Sequence, residues 1–257
     1  MEKTEPDVAK QIMSPLLRVG LNLSRANRLA RRCVRAPWCF LAQWYNRLEF
    51  VAPCYYVQAV LNERSTIVDC GTGLDANFSQ ALMARFGVRA IGVDPTRKHR
   101  SALTALEHRS NGRFTFIPSA LTGVGGNVAF FQSEDNESGS LFQNHINVQR
   151  DRTTSYEVDA VTLDHLLGRA GAVDLLKLDI EGAEYAVLEG SSDDLLRRVP
   201  QIIVEFHHDI IEGCLRSDTL KLSHRLRRLG FRVHTRDLVN YLFYQGQPHA
   251  ALECTKS

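Results

Sequence analysis

The chain lacks any C-x-x-C pair. Its six cysteines (Cys33, Cys39, Cys54, Cys70, Cys214 and Cys254) are scattered, which argues against a disulfide framework and for reduced thiols in a cytoplasmic protein. An excess of charge is lacking too: 31 Lys and Arg against 29 Asp and Glu leave a net charge of +2, too little to argue for a nucleic-acid partner. The first thirty residues hold no compact apolar core followed by a cleavage site, so no signal peptide is expected. No apolar run reaches the roughly 20 residues of a membrane span. The uncharged stretch from Phe114 to Ser133 comes nearest, but Pro118 and three glycines break it into a strand, a turn and a second strand. Internal repeats and dedicated metal-ligand spacings are absent.

What remains is an ordinary globular composition, 44% hydrophobic and 23% charged over 257 residues. That suits one α/β domain with a modest extension. Residues 1–47 carry nine Lys or Arg against three acids. Arg25, Arg28, Arg31, Arg32 and Arg35 recur at helical spacing, with Leu21, Leu29 and Val34 between them. Such a stretch suits contact with anionic lipid or an acidic partner. The favoured reading is a helix laid on the domain with a solvated basic face. An aromatic group follows (Trp38, Phe40, Trp44, Tyr45, Tyr55, Tyr56), as a lid over a site or as packing. The expected organisation is a basic, aromatic-rich helical extension over 1–62 and an α/β domain over 63–257.

From Ser65 onward, short apolar strands alternate with helical patterns. Strands are expected at Ile67–Cys70, Arg89–Val93, Phe114–Ile117, Val173–Leu178 and Gln201–Phe206, and helices at Ala76–Phe86, Lys98–Arg109, Ala183–Leu188 and Asp218–Leu229. Phe231–His234 and Tyr241–Tyr244 read as a closing edge hairpin. The alternation predicts an α/β fold with a doubly wound, mostly parallel sheet. The polar interval near 127–161 breaks the rhythm and reads as strand, mobile loop, strand. A long polar loop in a compact domain is a candidate for substrate selection.

The strand ends carry the chemistry. The first strand ends in Asp69-Cys70-Gly71-Thr72-Gly73-Leu74-Asp75, where glycines let the backbone turn sharply beside a ligand and Asp75 suits the N-cap of the next helix. Asp94, 21 residues beyond Gly73, ends the second strand, where an acid accepts ribose hydroxyl hydrogens. Dinucleotide enzymes and methyltransferases share such a turn plus acid. Here Ala76 replaces the third glycine of G-x-G-x-x-G, and Asp75 puts a negative charge where a pyrophosphate would sit.

The fourth strand delivers Asp179, Glu181 and Gly182 to a helix that begins through Glu184. Strand alternation puts Asp179 and Glu181 on one side, at the carboxyl edge where open α/β sheets bind ligands. The fifth strand ends Glu205-Phe206-His207-His208, with Glu205 and His207 on one face and Phe206 and His208 on the other. Histidine is the usual base near neutral pH. His207 is the expected base and His208 the reserve. Asp179, Glu181, Glu205 and His207 also form an oxygen-rich set of the kind that suits magnesium, although no metal site is assigned. His99, His108, His145, His165, His224, His234 and His249 show no partner pattern and are expected at the surface or in packing.

Four segments together resemble the FkbM-type methyltransferases. They are Gly71-Thr72-Gly73-Leu74-Asp75-Ala76-Asn77-Phe78-Ser79, Asp94-Pro95-Thr96, Leu176-Lys177-Leu178-Asp179-Ile180-Glu181-Gly182-Ala183-Glu184 and Glu205-Phe206-His207-His208. They are similar to one branch of that family; the commoner form has glycine where Asp75 stands. The resemblance implies a Rossmann-like class I methyltransferase fold, S-adenosyl-L-methionine as cofactor, and methyl transfer to a hydroxyl of a sugar, glycolipid or secondary metabolite. By the same resemblance Gly71 and Gly73 pass under the methionine part, with Asp69 at the start of that turn. Asp94 holds the ribose, and Ser119 and Ala120 border the adenine. Asp179 lies near both the sulfonium and the acceptor, and Glu181 orients substrate or base. Two other readings compete. An NAD(P)-dependent oxidoreductase is weakened by the missing third glycine and by Asp75. A non-catalytic cofactor-binding scaffold is weakened because every chemical position holds a competent residue. The expected partner is a small-molecule or glycan acceptor.

Overall fold

A computed structural model describes residues 46–51, 54–208 and 210–246. The basic stretch Arg25–Arg35, the aromatics Trp38, Phe40, Trp44 and Tyr45, and His249 lie outside the described residues. No helix among those described is long and apolar enough to cross a membrane.

Five apolar runs become parallel strands: β3 (Thr66–Cys70), β4 (Arg89–Val93), β5 (Phe114–Ile117), β10 (Leu175–Leu178) and β11 (Gln201–Glu205). Every residue of β3 and β10 is buried, the mark of central strands covered on both faces. With β12 (Arg232–Thr235) and β13 (Asn240–Tyr244) they form a seven-stranded sheet ordered β12-β13-β11-β10-β3-β4-β5. Only β13 runs against its neighbours, as the expected edge hairpin with β12. The connections are helical: α1 (Asn77–Phe86), α2 (Arg100–Arg109), α4 (Leu163–Ala170), α5 (Glu184–Gly190), α6 (Asp193–Arg197) and α7 (Arg216–Arg228). The main core joins Leu176, Leu178, Ile202 and Val204 of the sheet to Leu163 and Leu167 of α4, Leu188 of α5, Leu195 of α6 and Leu222 and Leu226 of α7. The sheet and its order are those of a Rossmann-like α/β fold. Strand order reverses between β3 and β10, so their carboxyl ends open a crevice where ligands bind in such sheets.

The polar interval holds the two expected strands, and the stretch between them, expected as a mobile loop, adds a short strand and a short helix. β6 (Ala120–Leu121), β7 (Gly126–Ser133), β8 (Gly139–Ser140) and β9 (Thr153–Val161) make a second sheet ordered β6-β9-β7-β8. A short helix, α3 (Ile146–Arg150), sits between β8 and β9. β7 and β9 pair antiparallel from Gly126↔Ala160 to Ser133↔Thr153. Their polar composition hid an alternating inward face: Phe130, Val158 and Ala160 are buried with Ala120. Before the main domain, β1 (Leu48–Val51) pairs with β2 (Tyr55–Gln58). The buried Gln201 side chain accepts from the Gln58 N–H at 2.7 Å, stitching β2 to the start of β11.

The ordered second sheet predicts that backbone amides paired across β7 and β9 exchange with deuterium far more slowly than those of exposed turns. Exchange as fast as an unstructured peptide's through 126–133 and 153–161 would contradict it.

Candidate active site

The crevice is built around a buried cation. Lys177, in the middle of β10, is 3% exposed. Its ammonium lies 3.1 Å from Asp69 Oδ1 and 3.1 Å from Asp179 Oδ2, and it donates to the Gly71 carbonyl at 3.1 Å. One side chain thus ties the ends of β3 and β10 together at the switch point. Burial works against its charge, but Asp179 and Asp69 hold the ammonium well above the ordinary lysine range. Burial likewise opposes the Asp179 charge, yet Lys177, His207 and the Tyr55 hydroxyl keep that carboxyl below its ordinary range. Asp69 differs: burial raises its proton affinity despite Lys177, and Ser79 Oγ of α1 donates to its Oδ2 at 2.7 Å.

The glycine turn is pinned in the same place. Gly71 has φ of +76°, and a Cβ there would fall 1.6 Å from the Asp179 carbonyl oxygen. Gly73 has φ of +72° with nothing within 4 Å of a built Cβ, so its Cα faces open space. Asp94 is 3% exposed and closes the turn from β4, accepting from Gly73 N–H at 2.9 Å and Thr96 N–H at 2.8 Å, with His99 Nδ1 at 3.3 Å. Ser119 and Ala120 are buried at the end of β5 and in β6. Asp75 does not cap α1. The N-cap position is Ala76, left-handed at φ of +47°, without a side-chain cap bond. Two left-handed residues, Gly73 and Ala76, carry the chain round and leave Asp75 exposed.

Asp179, Glu181, Glu205 and His207 do come together, though partly by another route than strand alternation. β10 ends at Leu178, and Glu181 takes a left-handed φ of +51°, which is costly for a residue with a Cβ and occurs mostly where the surroundings enforce it. The enforcement is visible. Ser140 Oγ donates to the Glu181 carbonyl at 2.7 Å, and Glu184 accepts from the Ile180 and Gly182 N–H groups at 2.9 and 3.1 Å. The Glu184 side chain is fully buried and also takes His207 Nδ1 at 2.8 Å. The imidazole is therefore held from behind, with Nε2 facing Glu181 Oε2 at 3.2 Å and Asp179 Oδ1 at 3.8 Å. Burial disfavours the imidazolium, but Glu184, Glu181 and Asp179 outweigh it and push the His207 pKa up to about 10. His208 turns to α7, at 3.1 Å from Thr219 Oγ1.

Two further residues enter from outside the main sheet. The Tyr55 hydroxyl of β2 reaches Asp179 Oδ2 at 2.5 Å and Glu205 Oε2 at 2.8 Å. Its ring covers Lys177, with Nζ 5.0 Å from the centroid. One hydroxyl proton serves two carboxylates, and burial together with Asp179 raises the proton affinity of Glu205. From the inserted sheet, His145 is 1% exposed and its Nε2 lies 2.9 Å from Glu181 Oε2. Its Nδ1 accepts from Asn147 N–H at the start of α3, so the proton sits on Nε2 and donates to Glu181. This corrects the expectation that His145 is a surface or packing residue. Its partner lies 36 residues away in sequence, beyond any local pattern.

Residues 62–233 match the family model of the methyltransferase FkbM domain. The chain belongs to that family. The FkbM domain thus contains the whole crevice except Tyr55, which the preceding flank supplies. Among curated proteins the chain is 35% identical over 109 residues to the AMB antimetabolite synthetase AmbE of Pseudomonas aeruginosa PAO1; the match covers 41% of this chain and spans 5% of the length of that relative. An rRNA methylase structure from Streptococcus thermophilus is 12% identical with a TM-score of 0.41, covering 73% of this chain and 90% of its own. The Methanococcus jannaschii fibrillarin pre-rRNA processing protein is 8% identical with a TM-score of 0.43, covering 80% and 74%. Within the FkbM domain, Glu184 and Lys177 stood in the quoted motif, but neither had a role before its partners were placed.

The raised His207 pKa fixes the sign of a stability effect. Folding binds a proton there, so the contribution is fully present below about 6.5, the ordinary value, and drains away as pH rises through about 10. For chelator-treated protein, melting temperature should fall between those pH values more steeply in the wild type than in His207→Gln. Parallel curves would contradict the buried imidazolium.

Proposed function

We propose that this FkbM domain is an S-adenosyl-L-methionine-dependent O-methyltransferase acting on a hydroxyl of a sugar, glycolipid or secondary metabolite. The observation that carries the proposal is the crevice between β3 and β10, with an open glycine turn at one end and a carboxylate-rich corner at the other. The residues fit the cofactor. Gly71 and Gly73 would pass under its methionine part and Asp94 would meet its ribose. Ser119 and Ala120 would border its adenine, while Asp179 supplies negative charge for a sulfonium and Asp69 braces the turn from beneath through Lys177 and Ser79. A dinucleotide fits less well, because Asp75 stands exposed beside the turn where a pyrophosphate would lie.

S-adenosylmethionine supplies a methyl group already activated by a cationic sulfur. The chain's task is then to align an acceptor hydroxyl and remove its proton. Asp179, Glu205 and His207 converge at the place for this, and Glu184 fixes the imidazole so that Nε2 faces it. A free-imidazole base meets an obstacle, since a histidine with a pKa of about 10 carries its proton at neutral pH. His207 activates the hydroxyl only when that proton has been displaced. For the acceptor, the inserted segment offers a groove of about 510 Å³ lined by Phe131 and Val148 together with Gln143, Asn144, Gln149, Thr153 and Ser155, a lining that suits a largely polar molecule. The name of the AmbE relative, an antimetabolite synthetase, leans toward secondary metabolism. The domain division at about residue 62 and a cytoplasmic location are part of the same proposal.

Two substitutions separate binding from chemistry. His207→Gln should abolish methyl transfer while S-adenosylhomocysteine affinity, measured by calorimetry, stays within about twofold of wild type. Asp94→Ala should weaken that affinity by at least about tenfold, the loss of one charge-assisted contact. Full activity in His207→Gln would remove the residue from the mechanism. Binding of NAD in place of S-adenosylhomocysteine would overturn the proposal.

A further inference from the structure

The carboxylates of the corner outnumber its cations. Asp69, Asp179, Glu181, Glu184 and Glu205 bring five carboxylates, with the Lys177 ammonium and the His207 ring set among them. His145 adds a ring nitrogen 2.9 Å from Glu181 Oε2. Lys177 is committed to Asp69 and Asp179, and the Tyr55 hydroxyl divides one proton between Asp179 and Glu205. Carboxylates this close in a part-buried site require a compensating cation or bound protons.

The geometry is that of a ligand set. One atom each from Asp179, Glu205 and His207 lies within 4.8 Å of the other two, the spread that atoms around a single small ion require. Each donor is oriented by a separate partner. Glu184, buried and behind the ring, holds His207 Nδ1 and presents Nε2, the arrangement in which a carboxylate sets the tautomer and basicity of a metal-bound imidazole. Tyr55 holds one oxygen of Asp179 and one of Glu205, and Asp179 Oδ1 faces His207 Nε2. Glu181 Oε2, steadied by His145, stands 3.2 Å from the same Nε2. Two carboxylates and one imidazole without a thiolate suit a hard divalent cation of the magnesium or manganese kind.

We infer that Asp179, Glu205 and His207 bind one divalent cation, with Glu181 at its border and Tyr55 and Glu184 positioning the ligands. The purpose of this site rests on the methyltransferase reading; its existence does not. A cation on Nε2 takes the place of the imidazolium proton and makes His207 a ligand instead of a base. It also lowers the pKa of a hydroxyl held beside it, so an acceptor hydroxyl gives up its proton to the Glu181 carboxylate more readily as its oxygen attacks the methyl group.

The test uses the full chain, stripped with chelator and titrated with Mn²⁺ while free Mn²⁺ is followed by electron paramagnetic resonance. The wild type should take up one equivalent, and the bound ion should show nitrogen modulation in its electron spin echo. His207→Gln should abolish that modulation, and Glu205→Gln, nearly isosteric, should abolish tight uptake. Glu184→Gln, which touches no ion, should weaken uptake by about 10–100-fold. Circular dichroism and S-adenosylhomocysteine titration of the same samples establish that each variant is folded. If His207→Gln fails to fold, nitrogen modulation in the wild type and loss of uptake in Glu205→Gln decide the matter. No uptake by the wild type overturns the inference, and so does uptake that survives Glu205→Gln with unchanged modulation. Mn²⁺ uptake by a chain that ignores S-adenosylhomocysteine would uphold the cation site and sink the cofactor reading. The converse pattern would sink the site alone.

Discussion

A buried ammonium between two carboxylates is the constraint on which the crevice depends. Lys177 sits in the central strand of the sheet, where hydrophobic neighbours would ordinarily exclude it. It is tolerated there because Asp69, Asp179 and the Gly71 carbonyl each lie 3.1 Å from its nitrogen. The same three groups define the floor of the crevice, since Asp69 leads into the glycine turn and Asp179 directly follows β10. Removal of the charge would leave two carboxylates buried in each other's field, a state that costs far more than the intact pair contributes. The tips of β3 and β10 are therefore held together by electrostatics as well as by their ladder.

Around this pair the site recruits partners from every side. Tyr55 comes from a flanking strand outside the FkbM domain, His145 from the inserted sheet, Glu184 from the first turn of α5 and His207 from just beyond β11. Glu181 is where these contributions meet. Its left-handed backbone and the close approach of Gly182 to Ile211, whose Cδ1 would lie 1.7 Å from a Cβ there, leave that turn one conformation. The insertion thereby touches the corner directly, because His145 and the His207 ring both contact the Glu181 carboxylate.

Much of this was legible in the sequence, for identifiable reasons. The central strands are apolar runs bounded by polar helices, so their existence and parallel arrangement followed from periodicity. The strand ends were legible as well, because alternation puts Glu205 and His207 on one face however the rest is arranged. The two long strands of the inserted sheet were legible, but the segment between them was read as a mobile loop, because its polar composition gave no sign of the short strand Gly139–Ser140 or the helix Ile146–Arg150. Asp75 was misread as a cap because local propensity cannot foresee the left-handed Ala76. His145 and the pairing of Glu184 with His207 were hidden, because they depend on contacts 36 and 23 residues apart; Tyr55 was read as a lid or packing residue, but its two carboxylate partners, 124 and 150 residues away, were not foreseen. Lys177 stood in plain view inside the family motif, but only burial reveals that it is a structural cation and not a surface charge.

The central claim is that this cation holds the crevice together, and a charge-removal cycle tests it most directly. Urea unfolding would be measured for wild type, Lys177→Met, Asp69→Asn and the double variant. Lys177→Met should lose about 3–5 kcal/mol, the cost of orphaning a buried charge, and Asp69→Asn should restore part of that loss in the double variant. If Lys177→Met is as stable as wild type, or if the two losses simply add, the ammonium is not what joins the two strand ends.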